Sequence, residues 1–479
     1  MKRLFNKLSI LSLLVVGFAC KPGEFGDTNV DPTQVSSATT KALLTNTLQS
    51  LPGTFFSNNH ANFYVQYLSE GPYPGSSLYS TVNFDWGGYY YGPLENLQAI
   101  IDYNEAGASN ADEGENGSKN NQLAVAHILK AYYFWWLTDR YGDLPYSEAL
   151  QGSENYSPAY DSQQELYYAL FTELEEGVAL INTSEQGVSG DILFDGDMTM
   201  WLKFANTTRL YMSLRLIKND FEKGKTEFNE ALSAGVLTSQ DDNMFYQYIA
   251  SDPNNYNPWY SNYTVSARND YAISTTMTDY MQPLDDPRLP IYGEVLSSGS
   301  VRGLTYGSSA ARNIPTVYSR IGDYFREAGS PAALYTYPQL LFVMAEAAKV
   351  GYIDGGDTVA EEYYNQAIKE SFTMYDVFDQ TTYDTYIANS TVAYASGTGL
   401  QQIITQKWVH QYLNGYEAWA DWRRTGYPTL TPAADGSISS IPRRQGYPTT
   451  ESSLNSTHYK EAVARQGADA LTTQIWWDK

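Results

Sequence analysis

Two stretches of the chain combine flat aromatic rings with side chains that donate and accept hydrogen bonds. The first, GPYPGSSLYSTVNFDW over residues 71–86, carries Tyr73, Tyr79, Asn83 and Trp86. The second, DPNNYNPWYSNYTVSARND over residues 252–270, carries Tyr256, Asn257, Trp259, Tyr260, Tyr263 and Arg268. A rigid ring offers an apolar face at low entropic cost. Such a face can stack on the C–H side of a sugar, while Asn, Asp or Arg beside it reaches the hydroxyls. Trp86 has a second reading, as the anchor of a helix that starts just after it. Trp259 reads as a loop residue, because Pro258 and two nearby asparagines precede it.

Other chemistry leaves little trace. His60, His127, His410 and His458 are scattered, and no HExxH or paired Cys–His spacing offers a metal site. No GxSxG elbow is present. Gly224-Lys225-Thr226 imitates the end of a phosphate loop, but the earlier glycine would fall on Asn219 and a helix precedes it. It reads as a turn between helices. Paired carboxylates for glycoside hydrolysis are a tertiary property, set by a separation of about 5 to 9.5 Å, and sequence alone singles out no pair.

The elements that would position the aromatic stretches are helical. Apolar periodicity predicts helices over 36–51, from 93 to about 104, and over 123–141, 163–181, 198–217, 226–234, 337–350, 359–372, 400–413 and 417–422. Three helix pairs follow: 123–141 with 163–181, 198–217 with 226–234, and 337–350 with 359–372. They resemble a tetratricopeptide-like array, although the usual repeat signature is not legible. Residues 236–335 differ, being rich in Asn, Pro, Gly, Ser and Tyr. They read as a loop-rich insertion with short helices and a few strands, where a rigid scaffold would present a binding surface. The expected fold class is mostly α, with helix pairs supporting this irregular part.

The first residues, MKRLFNKLSILSLLVVGFAC, have a basic start and an apolar core too short to span a bilayer. Residues 1–19 read as a secretory signal peptide. Ala19 precedes Cys20, the only cysteine of the chain, and polar sequence follows. This resembles a bacterial lipobox, with Gly17 where leucine is usual, and implies lipidation of Cys20. Acyl chains then anchor the protein rather than span the membrane. Residues 20–35 read as a leash and 36–479 as one domain. With no second cysteine there is no disulfide framework. The 54 acidic residues against 30 Lys and Arg argue against nucleic acid, which needs a basic face. A neutral ligand fits that charge better than an acidic polymer does. The 42 tyrosines and 10 tryptophans favour glycan binding modestly, since most of them must pack the core.

Several stretches, in order along the chain, carry a wider resemblance: FGDTNVDPTQV (Phe25–Val35), LTDRYGDLPYSEAL (Leu137–Leu150), WLKFANTTRLYMSLRL (Trp201–Leu216), DPRLP (Asp286–Pro290), LLFVMAEAA (Leu340–Ala348), EAWADWRRTGYPTL (Glu417–Leu430) and IPRRQGYPTTESSLNS (Ile441–Ser456), closed by IWWDK. They resemble the SusD/RagB nutrient-binding lipoproteins of Bacteroidetes outer membranes, in the SusD-like subgroup. The resemblance implies a fold with four tetratricopeptide-like helix pairs and no catalytic activity. It implies a surface lipoprotein that captures an oligosaccharide, or in some members a peptide, and caps a SusC-type TonB-dependent transporter. No cofactor is implied, and no residue pattern indicates a structural calcium. Within the motifs, Gly142 reads as a helix stop, Asp143 as a cap, and Asp421 as the partner of Arg423 or Arg424. Tyr89–Tyr91 read as packing or transporter contacts. A surface glycosidase and a tetratricopeptide-type adaptor remain as further alternatives.

Overall fold

A computed structural model describes residues 39–57, 59–107 and 114–479. The signal peptide over 1–19, Cys20, the leash over 20–35 and the start of the helix read from Ser36 lie outside the described residues. No helix among the described residues is long and apolar enough to cross a membrane.

The structure is mostly helical. Its longer helices begin with α1 (Thr40–Ser50), α2 (Glu95–Glu105), α3 (Lys119–Tyr141), α4 (Gln163–Leu180), α5 (Met198–Arg215) and α6 (Phe221–Ala234). They continue with α7 (Thr275–Met281), α8 (Tyr337–Val350), α9 (Gly356–Met374), α10 (Gln380–Ala388), α11 (Gly399–His410), α12 (Gly415–Thr425) and α13 (Ser456–Gln466). The three expected pairs form, α3 with α4, α5 with α6 and α8 with α9. A fourth succession, α11 with α12, also packs together, and α11 lies on α8 and α9.

Local chemistry sets these boundaries. The first N–H groups of a helix have no partner within it, and a polar side chain just before it supplies one. Ser118 does this for α3, Asp197 for α5, Asp220 for α6 and Thr336 for α8. Ser162 and Glu165 form a reciprocal capping box on α4. Gly142 ends α3 with φ of 84°, and the Asp143 carboxylate accepts from the Gln163 N–H at 2.9 Å. Both motif residues therefore act as read. Gly224 does not lie in a turn; it sits inside α6, and the turn is 216–220. Asp220 moves the helix start upstream by accepting from the Lys223 N–H.

Helix α3 is enclosed by α2, α4 and α5, so it is buried nearly all round rather than along one stripe. A buried charge network ties it to the later helices. Arg215 of α5 donates to Asp139 of α3 at 3.1 Å and to Glu417 of α12 at 2.6 Å. Asp421 accepts from Arg424 at 2.6 Å and is ion-paired with Lys407 of α11 at 2.9 Å. Arg424 also pairs with Glu346 of α8. Arg424 is thus the partner of Asp421. Arg423 instead donates to the Asp139 carbonyl and lies over the rings of Trp419 and Trp477.

Among the described residues, four short strands make two antiparallel pairs. β1 (Leu68–Glu70) pairs with β3 (Tyr271–Ile273), and β2 (Met244–Tyr246) pairs with β4 (Ala332–Tyr335). Three of these strands, α7 and several one-turn helices fall within residues 236–335.

Candidate functional site

The β1–β3 pairing brings the two aromatic stretches together at their bases. Leu68 faces Ile273, Ser69 faces Ala272 and Glu70 faces Tyr271, and the Gly71 N–H donates to the Asp270 carbonyl at 2.9 Å. The first stretch therefore leaves the sheet where the second enters it. At that junction Tyr73 is 70 % exposed, with the Arg268 guanidinium 5.9 Å from its ring centre. Asp270 fixes Arg268 by accepting from its Nε at 2.7 Å, and also accepts from Asn262 at 3.0 Å. Tyr256 and Tyr260, both half-buried, meet edge to face at 5.0 Å. Asn83 is exposed and donates its amide to the Tyr447 carbonyl at 2.7 Å.

The other five sequence-derived candidates pack the loops down and present no accessible face. The Tyr79 hydroxyl accepts from the Tyr306 hydroxyl at 3.0 Å and the Ala433 N–H at 3.1 Å. Trp86 is enclosed by Tyr90, Tyr141, Tyr160 and Tyr447, which favours its reading as an anchor. Asn257 is fully buried, accepting from the Trp259 N–H at 2.9 Å and donating to the Ser330 carbonyl at 3.0 Å. That cap starts a helical turn at Pro258, and the turn carries Trp259 inward. Trp259 is 2 % exposed, edge-on to Phe56 and Tyr271, and so is not the loop platform expected of it. The Tyr263 hydroxyl donates to the Tyr271 carbonyl at 2.7 Å.

The end of the first stretch contributes to a different feature. Phe84 and Asp85, with Gly53, Ser57, His60, Tyr89 and Arg140, line an open cleft of about 440 Å³. That volume lies within the usual range for a small-ligand site, about 300–1,000 Å³. Phe84 stands edge-on to His60 at 4.7 Å, and Tyr89 packs on Trp136 at 4.6 Å. Gly53 leaves room for Tyr89, since a Cβ there would lie 3.1 Å from its hydroxyl. A Cβ on Gly87 would lie equally close to the ring of Tyr91, which is 77 % exposed. Burial, aided by the nearby Arg140 charge, holds His60 down at about 4, so its imidazole is neutral at pH 7. Burial raises the Tyr89 hydroxyl, which stays protonated. The cleft therefore combines aromatic walls, one cation and one carboxylate.

The sequence could have pointed to this cleft only in fragments. Phe84 and Asp85 sit in the first aromatic stretch, while Arg140 lies in LTDRYGDLPYSEAL, a stretch that carries the family resemblance and no ligand signal. His60 carries no spacing signal at all. Elsewhere among the described residues, the carboxylates of Glu175, Glu227 and Glu230 converge. Arg209 pairs with all three, at 2.6, 2.5 and 3.4 Å, and Lys223 pairs with Glu227 at 2.5 Å.

Residues 32–448 match the family profile named SusD-like and described as starch-binding, associating with the outer membrane. The chain belongs to the SusD-like family. Solved structures agree over nearly the whole chain. A chitin-binding protein shares 28% identity with a TM-score of 0.78, covering 92% of this chain and 100% of its own. A chitin-binding SusD homologue from Flavobacterium johnsoniae shares 25% identity with a TM-score of 0.75, covering 92% and 98%. A SusD homologue from Bacteroides fragilis, at 24% identity and a TM-score of 0.77, covers 92% and 100% and shows the same fold. No curated protein matches the sequence. In this SusD-like protein the helix pairs form the scaffold, the aromatic stretches are carried on its loops and short helical turns, and the cleft joins such residues to Arg140 of α3.

Proposed function

We propose that this SusD-like protein captures an oligosaccharide at the cell surface and delivers it to a SusC-type TonB-dependent transporter. In this reading lipid on Cys20 holds it to the outer membrane, facing outward, and it carries out no catalysis. The observation that supports capture is the open cleft, which sets Phe84 and Tyr89 beside Arg140 and Asp85. Aromatic faces suit the C–H side of a sugar ring, and the two charged groups suit its polar substituents. Tyr73, Arg268, Tyr256, Tyr260 and Asn83 offer further contacts for a longer chain. Two relatives named for chitin binding make N-acetylglucosamine oligomers the first ligand to try. Tethering beside the transporter would raise the effective concentration of the one for the other.

Calorimetry of the purified protein against neutral and acidic oligosaccharides and against short peptides tests the ligand class. Saturable binding of a glycan with micromolar to millimolar affinity is expected. Binding of peptides alone would replace the glycan by a peptide on the same fold, and release of reducing ends over time would make it a hydrolase. Mass spectrometry of the native N-terminus tests lipidation of Cys20, and co-purification from membranes tests the transporter.

A further inference from the structure

We propose that the cleft beside Phe84 is a subsite for an amide group, with Arg140 donating to the carbonyl oxygen and Asp85 accepting from the N–H. The inference rests on the glycan reading only for the source of that amide, a 2-acetamido sugar.

Arg140 is 3 % exposed and forms no ion pair with a carboxylate among the described residues. Its Nε–H donates to Gln445 Oε1 at 2.6 Å, and its Nη1 is sealed from solvent without a hydrogen-bond partner among the described residues, which leaves Nη2, likewise without a hydrogen bond among them, as the nitrogen that can reach the cleft. Aromatic rings hold the rest of the guanidinium, with Trp136, Tyr141 and Tyr416 centred 4.2, 4.9 and 5.0 Å away. Rings stabilise a cation but do not accept its N–H groups in the manner of a carbonyl or carboxylate. A buried, incompletely satisfied arginine that borders an open cleft is therefore a donor awaiting an acceptor.

Asp85 borders the same cleft. One of its oxygens accepts from the Gly87 N–H at 2.8 Å, and a carboxylate has capacity for more. With His60 neutral, the charges of Arg140 and Asp85 balance, which favours a neutral polar group over an anion. A ligand carboxylate would meet Asp85 as a like charge, and a single hydroxyl would bring no apolar part. An acetamido group brings a carbonyl for Arg140, an N–H for Asp85 and a methyl for the wall formed by Phe84 and Tyr89. A peptide amide offers the same donor and acceptor.

Calorimetry with three probes separates these sources: an N-acetylglucosamine tetramer, a glucose β-1,4 tetramer of the same length, and an N-acetylated dipeptide amide. The acetamido sugar is expected to bind at least about tenfold more tightly than the glucose oligomer, since hydrogen bonds to charged groups contribute about 1.5–3 kcal/mol. Arg140→Met keeps the apolar stem and removes the donors. Asp85→Ala removes the acceptor at an exposed residue and spares the fold even if Arg140→Met does not. Each should reduce the preference to less than about threefold. Equal binding of the two sugars, or a preference that survives in Asp85→Ala, overturns the subsite and leaves the glycan reading standing. Binding of the dipeptide amide alone, lost in Asp85→Ala, supports the subsite and overturns the glycan reading. Binding of no probe overturns both.

Discussion

Arg215 grips Glu417 with both terminal nitrogens, at 3.2 and 2.6 Å, joining two helices separated by 202 residues of sequence. The same guanidinium reaches Asp139 at 3.1 Å and is 1 % exposed. Removing one partner of a buried pair leaves the other charge uncompensated, which costs about 3–5 kcal/mol. Glu417→Gln is therefore expected to lower stability by about 3 kcal/mol, because Asp139 still offsets part of the charge. Urea unfolding followed by circular dichroism measures it. A midpoint within error of the parent would mean that the pair adds nothing beyond a neutral hydrogen bond.

Trp259 and Tyr73 came from the same kind of sequence stretch, but the structure separates them. Trp259 packs between Phe56 and Tyr271, whereas Tyr73 stands in solvent beside Arg268. Trp259→Ala should destabilise the protein by about 3–5 kcal/mol through the cavity it leaves. Tyr73→Ala should change stability by less than about 0.5 kcal/mol, as exposed substitutions usually do. Parallel melts of the two variants check the contrast, and equal shifts in the two would contradict the burial seen for Trp259.

Gly224 inverts a familiar preference. Within an exposed helix, Gly to Ala normally stabilises by about 1 kcal/mol. Here an added Cβ would lie 2.1 Å from the Tyr352 hydroxyl and 2.8 Å from the Ser213 carbonyl. Tyr352 donates to that same carbonyl at 3.1 Å, so it has little freedom to move aside. Gly224→Ala is expected to destabilise by about 1–3 kcal/mol through overpacking. A rise in the melting temperature would refute the close approach of α6 to Tyr352.

The scaffold was legible because burial leaves a period in the sequence, and the site was not. Helices α3, α5 and α8 carry dense apolar residues bounded by Ser118, Asp197 and Thr336 caps, and their positions were readable within a few residues. Two helices left no such trace. α13 (STHYKEAVARQ) buries only Ala462 and Gln466, so it has no apolar stripe. α10 (QTTYDTYIA) is rich in threonine and rests on Tyr383 and Tyr386 and on its Asp379 cap. At the site, an aromatic residue beside Asn or Pro looks the same whether its ring faces ligand or core. Trp259 turned inward because Asn257 capped the turn beneath it, a choice made by one hydrogen bond. The cleft joins residues from three separate parts of the chain, and no spacing rule could assemble Gly53 and His60 with Asp85 and Arg140.

His410 makes the pH dependence of stability testable. Its ring is buried between Thr336, 2.8 Å from Nε2, and Ser371, 2.9 Å from Nδ1. Burial, with the charge of Arg288 adding to it, lowers its pKa from 6.5 to about 3. The unfolded chain therefore takes up a proton near pH 6.5 that the folded protein refuses until about pH 3. Between these values the unfolded state binds more protons, so stability rises with pH. The contribution is fully present above about pH 6.5 and is lost progressively as the pH falls toward 3. His60, lowered to about 4, adds a smaller loss of the same sign down to pH 4. Urea midpoints are expected to fall steeply from pH 7 to pH 4.5. His410→Gln should be less stable at pH 7, having lost one of the two ring contacts, and should show a shallower decline. The gap between parent and variant should thus narrow on acidification. A gap of constant size from pH 7 to 4.5 would show that His410 takes up its proton equally in the folded and unfolded states.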